Sequence, residues 1–163
     1  MSISATASSL YASTSVRIAS GAVLDLDGNA QSIGGLSGSG LVTNGTLLAV
    51  NGTVTPGGTN TIGTLTVATS VALAGTLLAD VATDGSCDQL TIQGDLNMSG
   101  LSLVIANPSQ LNTKKQYTLI TYTGTQTGKF TSVTVPDTRW HALYPADGTV
   151  RLFFISGTLI VVK

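Results

Sequence analysis

The chain has 163 residues, a formal net charge of -1 and 42% hydrophobic residues, but only 9% charged ones, against about 25% in an ordinary soluble domain. A chain this apolar and this neutral collapses, which excludes disorder driven by charge, and seven Lys and Arg are too few for a phosphate-binding stripe, which excludes nucleic acid as a partner. The 25 Thr and the absence of Glu argue against helices and for strands, in one domain long enough for a sizeable core.

Residues 1–6 hold neither a basic n-region nor an apolar h-region, so they are not a signal peptide. From residue 15 to 105 the chain is a succession of short runs with a period of two, the signal of strands. Val16-Arg17-Ile18 and Val23-Leu24-Asp25-Leu26 come first, then Leu41-Val42 and Leu47-Leu48-Ala49-Val50. Leu65-Thr66-Val67, Val71-Ala72-Leu73, Leu77-Leu78-Ala79-Asp80-Val81, Leu90-Thr91-Ile92 and Leu101-Ser102-Leu103-Val104-Ile105 follow. Glycines such as Gly45, Gly52, Gly63, Gly75, Gly94 and Gly100 separate the runs and are expected to make the turns.

A Gly-Thr-Leu opening recurs at Gly45, Gly63, Gly75 and Gly157. Recurrent units predict a β-solenoid. Strands too short to be stable as hairpins would stack as parallel rungs about 4.8 Å apart, in about seven coils of roughly 20 to 25 residues. The competing reading is an antiparallel β-sandwich, because turn signals every 8 to 12 residues fit that fold too, and Asn44-Gly45 and Asn51-Gly52 are favoured hairpin dipeptides.

The stretch Val23-Leu24-Asp25-Leu26-Asp27-Gly28-Asn29-Ala30-Gln31-Ser32-Ile33-Gly34-Gly35-Leu36-Ser37-Gly38-Ser39-Gly40 resembles the passenger-associated repeat of bacterial autotransporters. The segment from Thr55-Pro56-Gly57-Gly58 to Val67 is similar to the Pro-Gly stretch that follows such repeats. Ser86-Cys87-Asp88-Gln89-Leu90-Thr91-Ile92 resembles a further strand of them, with Cys87 inserted. Tyr117 to Gly124, with Gly128 to Val133, looks like the ending common in these passengers. The resemblance implies a right-handed parallel β-helix and a secreted or cell-surface location in a bacterium. It implies a segment of a longer exported precursor, with Met1 foreign to it. It carries over no catalytic residue, and the barrel of that family is missing, so membrane insertion by this segment is not implied.

The chain is therefore divided into a β-solenoid repeat body, residues 1–111, and a C-terminal capping segment of the same domain, residues 112–163. Seven of the eight aromatics lie in the second part: Tyr117, Tyr122, Phe130, Trp140, Tyr144, Phe153 and Phe154. Lys114, Lys115, Lys129, Arg139, Arg151 and Lys163 against Asp137 and Asp147 give it +4, while residues 1–111 carry -5. Two readings stand. The aromatics cap an end whose edge strands would otherwise be exposed, or they mediate self-association, with the acidic body of one copy meeting the basic end of the next.

Individual sites are read as follows. Asp25 and Asp27, and Asp84 with Asp88, sit in Gly-containing turns; the turn role is preferred to calcium binding. His141 is the single histidine and reads as cap packing beside Arg139 and Trp140. Cys87, the one cysteine, cannot form an internal disulfide and in an acidic turn is not an activated thiolate. No Gly-x-Ser-x-Gly elbow appears, and an enzyme of the sugar-cleaving kind would need two close carboxylates in a cleft. Asn44, Asn51 and Asn97 are formal glycosylation sequons read as turns and ladders. The expectation is an extracellular structural solenoid, a stalk or filament subunit joining copies of itself end to end. It has no enzymatic role, no cofactor and no metal. The alternative is a surface adhesin fragment binding a host or glycan ligand. Its apolar runs, including Leu159-Ile160-Val161-Val162, fall short of the ~20 residues of a membrane helix.

Overall fold

The computed structural model describes residues 2–4 and 10–157. The apolar run at 159–162, Met1, Lys163 and most of the Gly157-Thr158-Leu159 unit lie outside the described residues. Alternation sends one apolar side chain inward for each small polar one sent outward. Apart from Ser2–Ser4, Gln31–Ile33, Gly35–Gly38 and Thr53–Pro56, which no run announced, the strands up to residue 105 fall where the runs predict. The strands are β1 (Ser2–Ser4), β2 (Ser15–Ile18), β3 (Val23–Asp25), β4 (Gln31–Ile33), β5 (Gly35–Gly38) and β6 (Leu41–Thr43). Then come β7 (Leu48–Val50), β8 (Thr53–Pro56), β9 (Thr64–Val67), β10 (Val71–Ala79), β11 (Gln89–Ile92) and β12 (Leu96–Ile105). After a single 3-10 turn, Pro108–Gln110, the chain adds β13 (Tyr117–Tyr122), β14 (Gln126–Thr127), β15 (Val133–Thr134), β16 (Trp140–Leu143) and β17 (Thr149–Phe154). Among the described residues there is no α-helix.

The strands form two sheets, and the chain passes from one to the other repeatedly. The first has the order β1-β3-β6-β9-β11-β13-β17-β16. The second has the spine β14-β12-β10-β8-β5-β2, with β4 on β7, β7 on β10 and β15 on β12. Every pairing from β1 to β15 within these sheets is parallel. That excludes the antiparallel sandwich. Asn44 takes a positive φ of 55°, as its dipeptide suggests, but it leads from a strand of the first sheet to one of the second and makes no hairpin. In the first sheet six strands, β1 to β13, run parallel.

The registers line up the core. Leu24, Val42, Val67, Ile92 and Tyr122 occupy one column of the first sheet. Val16, Leu36, Val54, Leu77, Leu103 and Val133 occupy one column of the second. Both columns belong to a single hydrophobic core, to which both sheets contribute. Each fully buried Val, Leu or Ile contributes about 1.5–3 kcal/mol. The outward residues form polar ladders between layers instead of ion pairs. Asn44 Nδ2 donates to Asp25 Oδ1 and Asn51 Nδ2 to Ser32 Oγ, each across 19 residues. Ser102 Oγ lies 2.8 Å from Thr131 Oγ1, and Thr121 Oγ1 donates to Thr91 Oγ1. This is how a chain with so little charge keeps a polar exterior.

Two sequence expectations need correction. Gly75 and Gly100 do not separate strands: they lie inside β10 and β12, the longest strands, and in β10 two of the expected runs are fused. Gly75 pairs in register next to Gly52, and that close approach explains the glycines. A Cβ on Gly52 would lie 2.0 Å from the Gly34 carbonyl oxygen, and one on Gly75 2.4 Å from that of Gly52. Secondly, the Gly-Thr-Leu opening is not one structural unit. Gly63-Thr64-Leu65 leads into β9 in the first sheet, whereas Gly75-Thr76-Leu77 sits within β10 in the second. The quantity that repeats is the column, not the tripeptide.

Candidate functional site

The change in pairing comes after residue 134, later than residue 112. β13, β14 and β15 still add in parallel. Then β17 pairs antiparallel with β13, and β16 antiparallel with β17, so the first sheet ends in a hairpin. Alternation on this hairpin sorts the aromatics. Trp140 pairs with Phe154 and His141 with Phe153, and the two pairs point to opposite faces.

The inward pair builds a cluster. The Trp140 ring lies 5.2 Å from that of Phe154 and 5.9 Å from that of Tyr117. Trp140 and Tyr117 are buried. The Tyr117 hydroxyl accepts from Asn112 N–H at 2.8 Å and donates to the Ala82 carbonyl at 3.1 Å. Burial pushes that hydroxyl above the usual tyrosine value. Arg139 stacks on Phe154, 4.6 Å from the ring centroid. A second group, Phe130 with Tyr144 and Lys129 over the Tyr144 ring, joins the link between β14 and β15 to the residue that follows β16. Phe130 N–H donates to the Tyr144 hydroxyl at 3.0 Å. Tyr122, Phe130, Tyr144, Phe153 and Phe154 remain half-buried. Of the seven aromatics, Tyr117 and Trp140 are thus inside the chain, and the other five offer partial surface. His141 is exposed beside Phe153.

The basic character of this segment is partly cancelled. Arg139 pairs with Asp137 at 2.6 Å, and Arg151 pairs with Asp147. The Arg139 hydrogen bonds hold Asp137 down to about 2. These are the ion pairs among the described residues. Lys114, Lys115 and Lys129 remain exposed.

β2 is the last strand of the second sheet, and Tyr11, just before it, is 73% exposed. A depression of about 530 Å³ near the C-terminal end is lined by Tyr122, Gln126, Tyr144, Pro145 and Asp147, among others.

The acidic residues separate by environment. Asp25 forms the expected turn, accepting from Asp27 N–H at 2.8 Å. Asp84 accepts from both the backbone and hydroxyl of Ser86 at the tip of an excursion between β10 and β11. Asp88 departs from the solvated turn expected for it. It is 1% exposed, and its carboxylate accepts from Gly63 N–H and Asp80 N–H, both at 2.9 Å. Asp80 is 2% exposed, and its Oδ1 has no hydrogen-bond partner. The sequence signal for Asp80 was a charge at the end of an apolar run, read there as strand. Cys87 is buried, its thiol donating to the Thr118 carbonyl, and burial pushes it up to about 12. The structure therefore brings two buried carboxylates together at the base of that excursion, with Asp80 lining a depression of about 600 Å³. Among the described residues no group of three or more His, Cys, Asp or Glu is placed to hold a metal, and no helix is long and apolar enough to cross a membrane.

No family model matches the chain, and neither does any curated protein or solved structure.

Proposed function

We propose that this chain is an extracellular structural β-solenoid, a right-handed parallel β-helix acting as a stalk or filament subunit that joins copies of itself end to end. The observation that carries the reading is parallel pairing that leaves strand edges at both ends of the second sheet. Parallel pairing runs without interruption from β1 to β15, and among the described residues β2 is the edge strand of the second sheet at one end and β14 at the other. An unpaired edge is a template for a further strand. A non-closing contact between unlike ends grows into a filament. The charge difference between residues 1–111 and the rest favours unlike ends meeting. The resemblance to autotransporter passengers supports an exported, cell-surface setting, and the reading assigns no catalysis. Half-buried Phe153, Phe154, Tyr122, Phe130 and Tyr144 would supply the contact surface, and buried Tyr117 and Trp140 would brace it.

Electron microscopy and light scattering of the purified chain test this, at low and high salt. Rods or fibres that shorten as salt rises support it, and a monodisperse monomer at high concentration in low salt overturns it. The second reading, a fragment that binds a host surface or a glycan, is favoured by the Tyr122 and Tyr144 depression, where aromatic faces meet Gln126 and Asp147. A glycan array read with the wild type and with Tyr144→Ala tests it.

A further inference from the structure

Asp80 and Asp88 stand at the base of the 81–87 excursion, one on each limb. Their backbones are joined there: Asp88 N–H donates to the Asp80 carbonyl at 2.8 Å, and Val81 and Cys87 form a bridge above it. Both carboxyls have left water, and the ion pairs among the described residues lie elsewhere. Two adjacent buried carboxylates oppose each other's ionisation, and a buried charge without a partner is costly. Asp88 uses its oxygens on two N–H groups. Asp80 Oδ1 has nothing.

Few groups face the pair. The excursion itself supplies Asp84, turned outward onto Ser86, and Cys87, a neutral thiol. The segment after β12 supplies Lys115, which packs beside Gly85 at the tip, and the Tyr117 hydroxyl. Residues 57–63 and 105–110 contain no titratable side chain. No cation reaches the base of the excursion from any of these elements, so a proton is the remaining compensation.

We infer that Asp88, buried beside Asp80 at the base of the excursion, is a proton-binding site whose occupancy keeps the 81–87 excursion closed, and whose emptying loosens it. Burial, and then the nearby Asp80, raises Asp88 to about 6, against the opposing pull of its two N–H donors. A carboxyl raised above its unfolded value of 3.8 contributes stability that is full below pH ~4 and is lost as pH rises through ~6. The chain is therefore firmest in mild acid.

The test is thermal melting of the full chain in EDTA between pH 4.5 and 7.5. The midpoint is expected to be roughly 3–6 °C higher at pH 4.5. Asp88→Asn removes the titrating carboxyl and should flatten the dependence. Asp80→Asn takes away only the weaker of the two causes that raise Asp88, so it should raise the midpoint at pH 7.5 and make the dependence shallower without abolishing it; it serves if the first variant does not fold. Labelling of Cys87 by a disulfide reagent at pH 7.5 should be about fivefold slower in Asp80→Asn than in the wild type, and equal at pH 5. A wild-type midpoint that is flat or falls on acidification overturns the inference, and so does an unchanged slope in a folded variant. Stabilisation of the wild type at pH 7.5 by millimolar Ca²⁺, abolished in Asp80→Asn, also overturns it, in favour of a metal site.

Discussion

The stacked body and the C-terminal hairpin solve the same problem by different means. In the body, each layer hides its apolar side on the layers above and below, and aliphatic residues in register suffice: Leu36, Val54, Leu77 and Leu103 are all buried in one column. At the C-terminal end the first sheet has no further parallel strand to lean on. The chain turns back, pairs antiparallel and fills the gap with large rings from Trp140, Phe154 and Tyr117. Repetition can use small, interchangeable side chains, whereas termination needs large, individually placed ones. Among the described residues the N-terminal end, where β2 is left at an edge, shows no such hairpin.

The comparison can be broken most severely at the glycine corner. Gly75→Val places a branched side chain at a φ of 119° and against the Gly52 carbonyl, and is expected to cost more than about 4 kcal/mol or abolish folding. Gly58→Ala is its control: that glycine has a φ of 93° but open space around it, so the loss should be about 1–2 kcal/mol. Soluble yield and urea unfolding read both. Next in size, Leu103→Ala in the body and Trp140→Ala in the hairpin are each expected to cost about 3–5 kcal/mol. They differ in reach. If the hairpin closes the same core, unfolding followed through Trp140 fluorescence, the single tryptophan, and through Cys87 labelling in the body will coincide. Separate transitions would divide the molecule into two units.

Acidity sharpens the contrast further. Asp88 in the body is raised to about 6, and Asp137 in the hairpin segment is held to about 2. A depressed carboxyl contributes stability above its unfolded value and loses it as pH falls through the folded value. Asp137→Asn should therefore weaken the pH dependence of melting only between pH ~4 and ~2, leaving the rise expected between pH 7.5 and 4.5 intact. The smallest effect is expected for Arg151→Ala. Its pairing with Asp147 is at the surface, so the change should be about 0.5 kcal/mol or less.

The body was legible because inward positions are apolar at a spacing of two, and nothing but strand geometry explains Leu24, Val42 or Leu65 so placed. Its corner was not. A glycine needed where two backbones touch looks the same, in one dimension, as a glycine needed for a turn, and so Gly75 was read as a break. The aromatic segment was legible as a place of dense packing, but its reversal of direction depends on Trp140 meeting Phe154, a pairing no local pattern announces. The Asp80–Asp88 pair was hidden for a third reason. The burial of Asp88 is imposed by the chain around Gly63 and that of the excursion by the segment from Asn107 to Tyr117, both remote from it in sequence. Asp88 alone therefore looked like an ordinary turn residue.

The hydrogen bonds from Gly63 to Asp88 and from Asp95 to Ser70 span the same interval, 25 residues. Between residues 63 and 95 a position in one layer is thus matched in the next 25 residues later, whereas the Asn44–Asp25 and Asn51–Ser32 ladders span 19. Duplicating or deleting a 25-residue stretch there would change the height of the molecule by one storey while leaving its two extremities, and the contacts within every remaining storey, as they are. Height is accordingly a trait this protein can inherit in whole steps.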